Sequence, residues 1–263
     1  MMDLILAIFK AGVGAHPFLT NRQQDECIRY IFCGVDKVEK VIQGILHLYP
    51  SLRDNPDMEM PLGILLRSLL MDGILHMKAK SIASQLDNTN QDAVYSELKE
   101  YCLAVLNDAT NFFVEEIYRS QTMSSEQKAD TAARFVQPFS RAFDLSAERP
   151  KIRQEYKLNL NRIAKEHITG GTEPTDAIYN LYSFYSKYDH LSHFTGLSNR
   201  ISDNHKANKI NLGILLIAMY LRDLLALAYN FDGASEGLLE IIEELSDAIL
   251  NVNPDEFGEV EKT

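Results

Sequence analysis

Polar side chains spaced four apart inside apolar runs mark where this chain could do chemistry. Ser68, Asp72 and His76 recur in this way among Leu65, Leu69 and Leu75. On a helix the three share one stripe, so Asp72 can orient His76 through a hydrogen bond, or the two can share a metal. A second stripe runs through Tyr182, Ser186 and His190, with His193 one turn further on. Beside it Tyr179, Tyr182, Tyr185 and Tyr188 step by three. Two imidazoles one turn apart can move protons near neutral pH or ligate a metal. If the stripes faced each other, Asp72, His76, His190 and His193 would form a three-His, one-carboxylate metal set of the kind bundle cores hold. Each stripe also has a structural reading. The first is then a polar seam between helices, and the second a row of core rings whose hydroxyls reach buried partners.

Charges inside apolar runs need partners. Arg67, Arg222 and Asp223 are such charges, and burying one alone costs several kcal/mol. Pairing of Arg67 or Arg222 with Asp72 or Asp223 is the expected outcome, and anion binding by the arginines is the functional alternative. Two R-x4-H strings, Arg162 to His167 and Arg200 to His205, have a spacing at which arginine can clamp phosphate while histidine moves a proton. Chance supplies about one match across spacings of four to six in a chain of this composition. Isoleucine follows each arginine, so neither string is assigned a role. Gly170 and Gly171 precede a helix without a strand before them or a Gly-Lys-Ser/Thr after them, which makes them a turn. There is no dinucleotide fingerprint, nucleophile elbow or zincin motif, and no cofactor is expected.

Two runs resemble a known group. Leu65-Leu66-Arg67-Ser68-Leu69-Leu70-Met71-Asp72 resembles the Leu-Leu-Arg-Ser-Leu-Leu-x-acid run of uncharacterised bacterial helical proteins of the HEPN-like kind. Tyr182 to His190 resembles their later Tyr-x-x-x-Ser-x-x-x-His helix. The resemblance implies that Arg67, Asp72, Ser186 and His190 are the site residues. It also implies an RNA-acting or RNA-binding role in defence or stress, since HEPN relatives include RNA-cleaving toxins and abortive-infection proteins. The chain departs from the active ribonucleases at one point. Their R-x4-6-H on a single helix is absent from the matching segment, where Lys187 precedes His190.

The elements that must hold these residues are helices. Thr20 with Gln23 predicts a capping box for a helix running to about Tyr49, stopped by Pro50 and the polar stretch Ser51 to Asp57. Pro61 suits the first turn of the next helix, which carries Arg67, Asp72 and His76. A long helix is expected from about Gln91 to Tyr118, then a shorter one capped at Ser124 or Ser125 and bent or ended by Pro138. Further helices are predicted over Glu148 to His167, Ile178 to Phe194, Ile210 to Tyr229 and Ser235 to Leu250. No period-2 run of β-branched residues appears. The fold class is all-α, an up-and-down multi-helix bundle in one or two packed layers. One domain is expected over 1–253, with any sub-boundary near 120–125, followed by an acidic flexible tail over 254–263.

Composition narrows the setting. Three cysteines without a close pair argue against disulfides and thiolate zinc, and fit a reducing, cytoplasmic compartment. The apolar start, Leu4 to Phe9, is preceded by Asp3 and cut short by Lys10, unlike a signal peptide. Leu212 to Tyr229 is the most apolar stretch, and Arg222 and Asp223 inside it favour a buried central helix over a lipid span, so no membrane is expected as partner. Of a net charge of −11, the segment from Phe231 to Thr263 carries −9. The amphipathic helix within it, with Leu238, Ile241, Ile242, Leu245 and Ile249 on one stripe, is a candidate for docking a protein partner or a second copy. The body is close to neutral, which leaves RNA open as a partner.

Overall fold

The computed structural model describes residues 1–22, 25–85, 91–146, 148–167, 174–189, 202–232 and 235–253. Among them are nine α-helices: α1 (Met2–Leu19), α2 (Glu26–Leu48), α3 (Glu59–Ala83), α4 (Gln91–Arg119), α5 (Ser125–Val136), α6 (Leu160–His167), α7 (Pro174–Tyr185), α8 (Asp203–Asp232) and α9 (Glu236–Leu250). The expected all-α bundle is what the chain forms. Two-residue strands β1 (Phe143–Asp144) and β2 (Lys151–Ile152) pair antiparallel, Phe143 opposite Ile152.

Local chemistry accounts for most boundaries, and three expectations need correction. The predicted cap at Thr20 belongs to the preceding helix: its hydroxyl donates to the His16 carbonyl at 2.7 Å. The helix that follows is capped by Asp25, whose carboxylate accepts from the Cys27 and Ile28 amides. Aspartate with an extended backbone serves an N-terminus at least as well as threonine. The helix expected over Glu148 to His167 is confined to α6, because Lys151 and Ile152 pair with β1 and Pro150 has no amide to donate. The tyrosine-rich helix ends at Tyr185 and continues as a 3-10 turn over Ser186–Asp189. Ser124 and Gln127 form the capping box at α5.

The chain divides into two compact units, Met1–Ser81 with Asn161–Thr263, and Ile82–Leu160. The boundaries fall there and not near 120–125, because the polar stretch Ser120 to Ser124 is the turn of the α4–α5 hairpin. Val114 of α4 is buried with Ala132 and Val136 of α5, Phe143 and Ile152. In the first unit α8 is central and packs on α1, α2, α7 and α9. Its buried row includes Ile210, Ile214, Ile217, Leu221, Leu224 and Leu225. By length and composition Met2–Leu19, Pro56–Ala83 and Asp203–Phe231 could each cross a membrane. Here they bury apolar faces in the first unit, and Asp223 of α8 is held by Lys80 at 2.5 Å and Arg222 at 3.1 Å.

Candidate functional site

Helix α3 presents polar groups on two faces, each to a different neighbour. The stripe Ser68, Asp72 and His76 meets α2. Lys37 pairs with Asp72 at 2.6 Å and donates to the Ser68 carbonyl at 3.2 Å. The Ser68 hydroxyl turns back to the Leu65 carbonyl at 3.0 Å. One turn beyond Asp72, His76 Nδ1 lies 3.3 Å from the Tyr30 hydroxyl. Asp72 therefore does not orient His76: it holds Lys37, while Tyr30 holds the imidazole.

The imidazole sits among rings. Tyr30 stacks on it with centroids 6.2 Å apart, and Tyr220 of α8 meets it edge-on at 5.4 Å. His76 is 3 % exposed, and Nε2 has no hydrogen-bond partner. If Tyr30 donates to Nδ1, Nε2 carries a proton with no acceptor; in the other tautomer it is a bare acceptor. Burial pulls the His76 pKa down from 6.5 to about 4, against the attraction of Asp223 and with the repulsion of Lys80. Burial also raises the Asp72 carboxyl in spite of Lys37. It raises the Tyr220 phenol well above its usual value, helped by Asp72 and Cys33. At neutral pH the imidazole is therefore neutral, with the Tyr30 and Tyr220 rings around it and the Lys37–Asp72 contact one turn away. Gly34 on α2 makes the approach of α8 feasible, since a Cβ there would lie 2.8 Å from Leu224 and 2.9 Å from the Tyr220 hydroxyl.

The opposite side of α3 meets α7. A Cβ on Gly63 would lie 2.2 Å from the Tyr185 ring, so only glycine lets that fully buried ring lie on the backbone. One turn on, the Arg67 guanidinium sits 5.9 Å from the Tyr182 ring centroid. Gly73 faces Ile178. Ser186, one turn past Tyr182, donates to the Ser183 carbonyl at 2.8 Å.

No family model, curated protein or solved structure matches this chain.

What the site can do therefore rests on its own side chains. Arg67 belongs to the α3–α7 seam, Ser186 to the 3-10 turn that follows α7, Asp72 and His76 to the α2–α3 seam, and His190 and His193 lie outside the described residues. No group of three or more His, Cys, Asp or Glu fit to hold a metal occurs among the described residues. Of the R-x4-H strings, Arg162 reaches Glu166 at 3.6 Å, His205 contacts Lys209, and Arg200 is outside the described residues. Sequence reasoning missed Tyr30, Lys37 and Tyr220. A signal existed: Tyr30, Gly34 and Lys37 fall at i, i+4 and i+7, a polar, small-residue stripe on a helix whose other buried residues are Cys27 and a row of Ile and Val.

Proposed function

We propose that the chain is an intracellular bacterial helical protein of the HEPN-like kind that acts on or binds RNA through the α3–α7 seam. The observation that carries this reading is the Arg67 guanidinium against the Tyr182 ring, one turn from Ser186. A planar cation beside an aromatic face suits a phosphate next to a base, the pairing that single-stranded RNA offers. Ser186 and, on sequence grounds alone, His190 supply a hydroxyl and a proton carrier. Asp72, bound to Lys37, is a positioning residue that keeps α2 on α3. The body before Phe231 is nearly neutral, since most of the chain's net negative charge lies after it, so its overall charge does not oppose an anionic ligand.

The test is cleavage and retention of single-stranded RNA by the purified full chain, together with growth of cells expressing it. Arg67→Ala, Ser186→Ala and His190→Ala should each lower activity about 100-fold or more while circular dichroism stays helical. A wild-type protein that neither cleaves nor retains RNA, and leaves growth unchanged on overexpression, refutes the reading.

A further inference from the structure

Helix α1 carries more apolar surface than its own bundle covers. Its inner stripe, Leu4, Ile5, Ile8, Ala11, Ala15 and Leu19, is buried. An outer stripe follows at i, i+4, i+7, i+11 and i+15: Met2, Leu6, Phe9, Val13 and Pro17. Within it Met2, Leu6 and Val13 are 37 %, 39 % and 46 % exposed. Helix α9 lies alongside, locked to α1 by two close approaches, Ile241 over Gly14 and Phe18 over Gly237. Between them runs a groove of about 270 Å³ floored by Leu6, Ala7, Ala11, Ile241 and Leu245, with Asp3, Lys10 and Glu244 as its charged lining.

The apolar stripe of α9 is turned inward, with Leu238 and Leu245 buried. Its outward row is acidic. Glu236, Glu240, Glu243, Glu244 and Asp247 are exposed, and none makes an ion pair among the described residues. An apolar groove beside a row of unneutralised carboxylates selects among occupants by charge. Anionic lipid and RNA bring more negative charge to that row, and a second copy would set the same acids against themselves. A helix with one apolar face and lysine or arginine flanks fits both features at once.

We propose that the outer face of α1 and the acidic row of α9 form a docking surface for a basic amphipathic helix of another protein. The surface spans about 27 Å, the length of α1 at 1.5 Å per residue, so a partner helix of about five turns covers it. Among the described residues, Lys10 is its one cationic lining residue and places the partner's basic flank toward α9. The assignment is independent of the α3–α7 seam, and each can fail alone.

The probe is a fluorescent amphipathic Leu/Lys peptide of about 18 residues, titrated into the full chain by anisotropy at physiological salt. A Leu/Glu peptide of the same pattern and anionic phospholipid vesicles serve as comparisons. The Leu/Lys peptide should bind, and the Leu/Glu peptide and vesicles should bind at least about tenfold more weakly. Val13→Glu and the double substitution Glu240→Lys, Glu243→Lys should each weaken Leu/Lys binding about tenfold or more, with helicity unchanged because all three side chains are exposed. Three results overturn the proposal: no Leu/Lys binding by the folded chain, binding that ignores Val13→Glu and is therefore only electrostatic, or a dimer that Val13→Glu converts to monomer.

Discussion

His76 couples the buried cluster to solution pH. Its folded pKa is about 4, against about 6.5 in an unfolded chain, so between those values the unfolded state takes up the proton and the folded state does not. The stability associated with the neutral imidazole is complete above about pH 6.5 and is lost as pH falls toward 4, by roughly 3 kcal/mol. Asp72 works in the other direction. Its raised folded pKa means that the folded carboxyl keeps a proton the unfolded one releases, so its contribution grows as pH falls through its own window. Lys37, Lys80 and Asp223 face this cluster and set its field. Urea unfolding at about pH 7 and about pH 4.5 should show the wild type losing more stability than His76→Phe, by about 2–3 kcal/mol. Equal losses in the two proteins would mean that the imidazole titrates in water.

Between elements, glycine decides which helices approach. An alanine in an open helix position stabilises it by about 1 kcal/mol relative to glycine. At Gly63 the added methyl meets the Tyr185 ring at 2.2 Å, and overpacking a filled core costs about 1–3 kcal/mol. The clash outweighs the propensity gain. Gly63→Ala should lower the thermal midpoint, and Tyr185→Leu in the same chain should recover part of the loss. A Gly63→Ala protein more stable than wild type would place α7 away from α3 and remove the seam proposed to handle RNA.

At the scale of the molecule, the C-terminal helix belongs to the core of the first unit. Leu238 and Leu245 are each 1 % exposed, and burying a leucine contributes about 1.5–3 kcal/mol. Removing residues after Ala234 also uncovers Gly14 and Phe18 on α1. The combined loss approaches the 5–15 kcal/mol that holds a typical domain. The truncated chain should therefore unfold without cooperativity or precipitate. A truncated chain that unfolds at the wild-type denaturant midpoint would show α9 to be an appendage.

The amino-acid sequence alone determined that the chain is helical, where Pro61 and Ser124 open helices, that 210–229 is buried, and which residues share a stripe on α3. Those features depend on neighbours within about one turn, so they are written locally. Partner choice across helices is not. Nothing near Asp72 announces that its counter-ion is Lys37, or that Tyr30 and Tyr220 enclose His76, because those contacts join segments 35 to about 150 residues apart. The two polar sides of α3 turn to different neighbours for the same reason. Helices pack where side-chain volumes fit, here at Gly34 and Gly63, and only the folded chain brings those volumes together.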